Sequence, residues 1–269
     1  ERWTQRAGGG AYLCRRDASG RWPAACRNRV LLTAQETSGL RHFGLELREI
    51  LGWDLSFIYD DFDRERFLRG LGATVLLMLS CIAGSLAVGA AGAVLAESRL
   101  RLLGGLARGA AVWGRMTPPL LQMYLLFFGF GALLWTTYGI SLSPWVVAVW
   151  CLSYYTGSSV MTALLDAAAL RREAEPAFRL RWGALPRVYG HAAGSVTASL
   201  VNVSKATMMA SVIAVPELMS ASTSILVDNG NVKEVMNMLV LVFLVLIAVT
   251  VRLLGRLEGR LRSVGSGRQ

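Results

Sequence analysis

Charge is the first thing this sequence lacks. From Met116 to Leu165 it runs for 50 residues without an Asp, Glu, Lys or Arg, and only 17% of its 269 residues are charged while 54% are hydrophobic. A soluble domain of this length needs far more polar surface than that. One bilayer crossing takes roughly 20 apolar residues, so the neutral run is long enough for two. The deficit excludes a soluble globular protein. It predicts an all-α integral membrane protein, because lipid offers no partner to unpaired backbone groups.

Cysteine and histidine are scarce as well. The two histidines, His42 and His191, lie far apart without ligand spacing, so no metal site is expected. Cys81 and Cys151 fall inside apolar runs and read as small core residues. Cys14 and Cys26 belong to a polar N-terminal tail. They fit either a disulfide, if the tail faces an oxidising compartment, or two free thiols. No G-x-x-x-x-G-K-S/T occurs anywhere, so this chain is not expected to hydrolyse ATP by itself or to be an enzyme. No signal-peptide pattern stands at Glu1.

Arginine, by contrast, is plentiful, and the net charge is +10. Such a balance can signal nucleic-acid binding. Here the arginines cluster beside apolar runs, where they set membrane orientation instead, and no nucleic-acid partner is expected. The apolar runs are 70–96, two within 116–165 that part near Gly139 and Pro144, a weaker one at 192–216, and 235–251. That makes five transmembrane helices. Segment 97–115 carries Arg99, Arg101, Arg108 and Arg115 against Glu97, and 166–187 carries five arginines against Asp166, Glu173 and Glu175. After the last span come Arg252, Arg256, Arg260, Arg262 and Arg268 against Glu258. The alternate connections are poor in positive charge, so the N-terminus is expected outside and the C-terminus in the cytoplasm. Residues 1–65 then form an external tail and 66–265 the membrane domain.

Four local features stand out within that frame. Ser85, Gly89 and Ala93 recur at four-residue spacing, a packing device for close helices. Pro118 and Pro119 open the second span, where their missing N–H groups cost little. Lys205 lies mid-span, and an ionisable group at that depth should face a bundle interior, a water-filled path or a partner, or snorkel to an end. Finally, "DAAALRREAEPAFRLRWGALP" (166–186) brings seven charges within sixteen positions after the neutral run. Its good helix formers predict a helix from Asp166 to Glu175, ended by Pro176. Charged and cytoplasmic, it needs water or a protein partner.

Arg115, Thr117, Pro118, Leu120, Gln122, Phe128 and Gly129 match without gaps a stretch that resembles the membrane subunits of polar amino-acid (histidine/glutamine-type) ABC importers. Lys205, Thr207, Ser211, Val212, Ile213, Glu217 and Leu218 resemble the same family's lysine-containing segment. Leu185-Pro186 lies nineteen residues before Lys205, the family's separation, and Asp166-Ala167-Ala168 falls within one residue of its Glu-Ala-Ala loop start. The match departs where Asp166 replaces Glu, Arg172 replaces Gly and Ala198 replaces Asn. The family's signature at the end of the third span is absent, and "TGSSVMTALL" stands there.

The resemblance spans about Phe67 to Arg262. It implies a type I ABC importer permease fold in the bacterial inner membrane, transporting amino acids by alternating access. It implies ATP-binding cassette ATPase subunits as partners, which bind the ATP and Mg, leaving no cofactor in this chain. A second permease subunit, identical or different, and a periplasmic or lipid-anchored substrate-binding protein complete the implied assembly. Asp166, Ala167, Ala168, Arg171, Arg172, Leu185 and Pro186 become the segment that couples to the ATPase. Lys205 and Glu217 become polar groups of the translocation path or its surroundings, and Arg115, Thr117, Pro118 and Gln122 the family's helix start. The alternatives are a permease-derived assembly protein that no longer transports, or a permease of another importer branch.

Overall fold

A computed structural model describes residues 2–4, 12–14, 58 and 61–266 of the chain. The chain divides into two compact units, Glu1–Arg64 and Glu65–Gln269. In the first, strand β1 (Arg2–Thr4) pairs antiparallel with β2 (Tyr12–Cys14), with Trp3 opposite Leu13. Whether Cys14 and Cys26 form a disulfide or stay free thiols turns on Cys26, which lies outside the described residues.

The second unit is helical. Helix α1 (Asp61–Ala96) leads into α2 (Arg101–Met116) and then α3 (Pro119–Tyr138). Within α3 the stretch Leu125–Phe130 is wound as a π-helix. Helix α4 (Pro144–Ala174) follows, then a 3₁₀ turn at Trp182–Ala184 and α5 (Leu185–Ala206), which tightens into a 3₁₀ segment over Thr207–Ile213. Helices α6 (Leu218–Asn229) and α7 (Val232–Ser266) complete the chain. The punctuation is legible residue by residue. Pro119 and Pro144 occupy first turns, where no N–H is missed. Gly139 ends α3 at φ 67° and Gly230 ends α6 at φ 73°, a left-handed conformation that glycine adopts without a Cβ clash.

Four segments are long and apolar enough to cross a membrane: Phe62–Ala96, Pro119–Tyr138, Trp182–Ile213 and Val232–Arg260. The chain is a multi-pass membrane protein. The expected third span, in α4, is not among the four, and its position in the bundle explains why. Helix α4 packs against α2, α3 and α5, and buries Ser153, Thr156 and Ser158 along with Val147, Cys151, Leu152, Val160 and Leu164. A helix screened from lipid by its neighbours can carry hydroxyls that a lipid-facing helix cannot. The small-residue ridge of α1 is what admits α4 so closely. A Cβ on Gly89 would stand 2.5 Å from Val160 Cγ1, and one on Gly157 would stand 2.7 Å from Val88.

Most of the charged segment 97–115 lies in the sixteen-residue helix α2, Arg101–Met116. The helix expected from Asp166 is not a separate element. It is the last turns of α4, which run on without interruption to Ala174.

Candidate functional site

Helix α5 buries Val188, Ala192, Val196, Leu200 and Val203, the residues that pack it into the bundle beside α4 and α7. Another face carries His191, Ser195, Ala198, Asn202 and Lys205, all exposed, at alternating four- and three-residue intervals. Intervals of four and three keep residues on one side of a helix. From His191 to Lys205 the stripe is about 21 Å long at 1.5 Å per residue, most of a hydrocarbon core. The Nδ1 of His191 lies 2.8 Å from the Arg187 carbonyl. Lys205 makes no ion pair among the described residues, and beyond it Met208, Met209 and Val212 continue the exposed side. An imidazole, a carboxamide and an ammonium on one face of a membrane-spanning segment cannot all meet acyl chains. The face wants water, a solute or a protein.

Glu217, the other polar group of this region, is engaged elsewhere. It has no solvent exposure, and its carboxylate accepts hydrogen bonds from the backbone N–H groups of Ser220 and Met219, each at 3.0 Å. The Thr74 hydroxyl lies 3.3 Å from the same carboxylate and accepts the Leu218 N–H at 2.9 Å. Glu217 is thus the N-cap of α6, tied to α1. Burial raises its carboxyl from the ordinary range, against the lowering effect of those three hydrogen bonds. The structure does not bring Lys205 and Glu217 together as a pair.

The residues named at the helix start form a corner between α2 and α3. The Thr117 hydroxyl donates to Trp113 O at 2.9 Å. Gln122 Nε2 donates back to the carbonyls of Gly114, at 3.0 Å, and Thr117, at 3.1 Å, carbonyls that the end of α2 leaves unpaired. The chain breaks between helices at Thr117-Pro118 and is sutured by a glutamine one turn on. Arg115 stays exposed beside the corner.

In the segment 166–186, Ala167, Ala168 and Leu185 are buried, while Asp166 and Pro186 are exposed. Arg171 folds over the Phe178 ring, 5.2 Å from its centroid, and pairs with Glu175 at 3.6 Å. Arg172 reaches Glu97 at 3.1 Å, and Arg108 reaches the same carboxylate at 3.4 Å. Both arginines therefore have partners within the chain. The outward surface here is instead Leu170, Arg179, Arg181 and Trp182. Leu170 and Trp182 carry a signal that hydropathy averages hide, a large apolar side chain amid charges. Glu97, the lone acid among four arginines of 97–115, was equally visible in the sequence as the group those arginines would seek. Among the described residues no three His, Cys, Asp or Glu side chains gather in a way that could hold a metal ion.

In comparisons with known proteins, no family model matches the sequence, and no curated protein matches it. Among solved structures, its fold is similar to a chain of the "Crystal structure of an amino acid ABC transporter with histidines", with a TM-score of 0.62 at 17% identity. The likeness covers 73% of this chain and 94% of that one.

Proposed function

We propose that this chain is the membrane-spanning permease subunit of an ATP-binding cassette importer, carrying an amino acid or a similar small polar solute. The observation that carries the reading is the fold, shared with a chain of an amino acid ABC transporter over 73% of this one. In this reading α1, α3, α4, α5 and α7 are five crossings, with the N-terminus outside and the C-terminus cytoplasmic. The translocation path runs along α5, past His191, Ser195, Asn202 and Lys205. The Lys205 ammonium offers a solute carboxylate its counter-charge. A second permease chain, the same or different, closes the path on its far side, and a substrate-binding protein delivers the solute outside. ATP and Mg stay with the ATPase partner.

The ATPase contact is made by the last turns of α4 and the loop that joins it to α5. Leu170 and Trp182 supply its apolar part and Arg179 and Arg181 its charge, while Arg171 and Arg172 hold the loop's shape from within. Exposed ion pairs are individually worth only about 0–1 kcal/mol, so the apolar pair carries more of the affinity. The test is purification of the chain from its own membranes, with partners identified by mass spectrometry. An ATP-binding cassette protein should be recovered, and it should be lost from Leu170→Arg and Trp182→Ala while the chain itself remains folded. A well-folded chain that brings down no such protein, or retains it in both variants, overturns the reading.

A further inference from the structure

Helix α2 has three faces, and only one of them is covered. Gly104, Ala111 and Gly114 form the first, which meets the end of α1 at Gly104, where a Cβ would stand 2.8 Å from Ala96 O, and α4 at Gly114. There a Cβ on Gly114 would stand 2.5 Å from Ser158 Oγ, and the Tyr154 hydroxyl donates to Ala110 O at 2.6 Å. The second face, Leu102, Leu106, Trp113 and Met116, is apolar and exposed throughout, with Leu102 at 76% and Met116 at 78%. The third is Arg101, Arg108 and Arg115, also exposed and seven residues apart, so that successive side chains are offset by only about 20°. Arg108 is drawn toward Glu97, and neither Arg101 nor Arg115 makes an ion pair among the described residues.

The ends of α2 fix where these faces must be. Ala96 closes one membrane-spanning segment and Pro119 opens another, so both ends of α2 are held at the same side of the bilayer. A sixteen-residue helix tethered there lies in or against the interface, along about 24 Å. Its apolar face and its arginine face are neighbours, and Trp113 is of the type that settles at headgroup level. An acidic protein surface would meet the arginines but leave the leucines unmatched. A phospholipid presents acyl chain and phosphate side by side, which matches both faces at once.

We propose that α2 is a lipid-binding helix. Leu102, Leu106, Trp113 and Met116 rest among acyl chains, and Arg101 and Arg115 bind the phosphates of anionic phospholipids in that leaflet. The inference needs α2 to lie at a membrane surface and does not depend on which solute the chain carries.

Brominated lipids test it, because they quench only tryptophans they touch. The full chain is reconstituted into phosphatidylcholine vesicles containing phosphatidylglycerol, with bromine on one lipid or the other. The Trp113 signal is the difference between wild type and Trp113→Phe. Brominated phosphatidylglycerol should quench that signal in excess of its mole fraction, with local enrichment of roughly fivefold per arginine at low salt. The excess should fall with added salt and vanish in Arg101→Gln/Arg115→Gln. Equal quenching by the two lipids overturns the proposal, as does an excess that survives the double substitution. Trp113 dark to both lipids also overturns it, since the face is then covered by protein. If the double variant does not fold, the wild-type salt titration decides: an excess insensitive to salt sinks the arginine contact.

Discussion

At the scale of single residues, Glu217 shows how a carboxylate can be structural in a membrane protein. It is fully buried, yet three donors meet it, and two of them are N–H groups of the first turn of α6 that would otherwise be orphaned. Glu217→Ala removes the cap and leaves those two N–H groups unsatisfied, while Thr74 keeps its bonds to Gly70 O and Leu218 N, at a cost of about 2 kcal/mol. A lowered thermal midpoint of the detergent-purified chain would register it. Glu217→Gln keeps an acceptor and should lose less. The pH dependence has a definite sign. Burial raises the carboxyl above its unfolded-state value, so folding favours the protonated form. That contribution is fully present below the ordinary carboxylate pKa and is lost as pH rises through the raised value. The wild type should therefore gain on Glu217→Gln as pH falls through this window, in paired thermal melts; a constant gap would contradict it. A second residue is strained rather than buried. Ala214 ends the 3₁₀ segment at φ 60°, a conformation that crowds a Cβ. Ala214→Gly should stabilise the chain by roughly 0.5–1 kcal/mol, the relief of strain outweighing the added freedom of the unfolded chain, and a fall in midpoint would refute the strain.

At the scale of elements, the decisive joint is where α1, α2 and α4 meet through one acid. Glu97 follows the end of α1, and its carboxylate takes Arg108 from α2 and Arg172 from α4. Its side chain is 8% exposed, while those of the two arginines remain 60% and 34% exposed. Solvent screening on the arginine side keeps each pair modest. Charge reversal at Glu97 or Arg172 alone should nevertheless destabilise the chain, because each leaves like charges facing one another. The double reversal should recover about 1 kcal/mol of that loss in a double-mutant cycle. Strict additivity of the two single changes would show that the contact carries nothing. The same joint marks how far the sequence could be read. Helix ends at Pro119, Gly139 and Pro144 were legible, because proline and glycine act locally. The identity of α2 as a helix was not, since its arginines read equally well as a loop. Nor was the inward turn of Arg171 and Arg172, because a charge run does not say whether its partners lie on another molecule or within the same chain. Lys205 and the small-residue ridge could be picked out from residue type and spacing. The stripe that Lys205 ends could not, because Ser195, Ala198 and Asn202 acquire meaning only once burial shows which side of α5 is open.

At the scale of the whole molecule, the number of crossings turns on α4. Hydropathy finds four spans and omits α4, whose hydroxyls lower its average. Yet α4 is 31 residues long, about 46 Å at 1.5 Å per residue, more than a hydrocarbon core of about 30 Å. It also buries Ser153, Thr156 and Ser158. The arginine distribution agrees with a crossing: residues 139–143 before α4 carry no charge, whereas 171–181 at its far end carry Arg171, Arg172, Arg179 and Arg181. Cysteine accessibility separates the two counts. With the four native cysteines replaced, Ser143→Cys should react with a membrane-impermeant maleimide in intact cells. Gly183→Cys, at an exposed turn with no neighbouring atom near its Cβ, should react only after permeabilisation. If both react in intact cells, α4 does not cross, the loop that follows it cannot reach a cytoplasmic ATPase, and the permease reading loses its coupling. If both react only after permeabilisation, α4 does not cross either and the five-crossing topology fails. Opposite sidedness places the Leu170–Trp182 surface in the cytoplasm and the α3–α4 turn outside, which is the topology that alternating access along α5 requires.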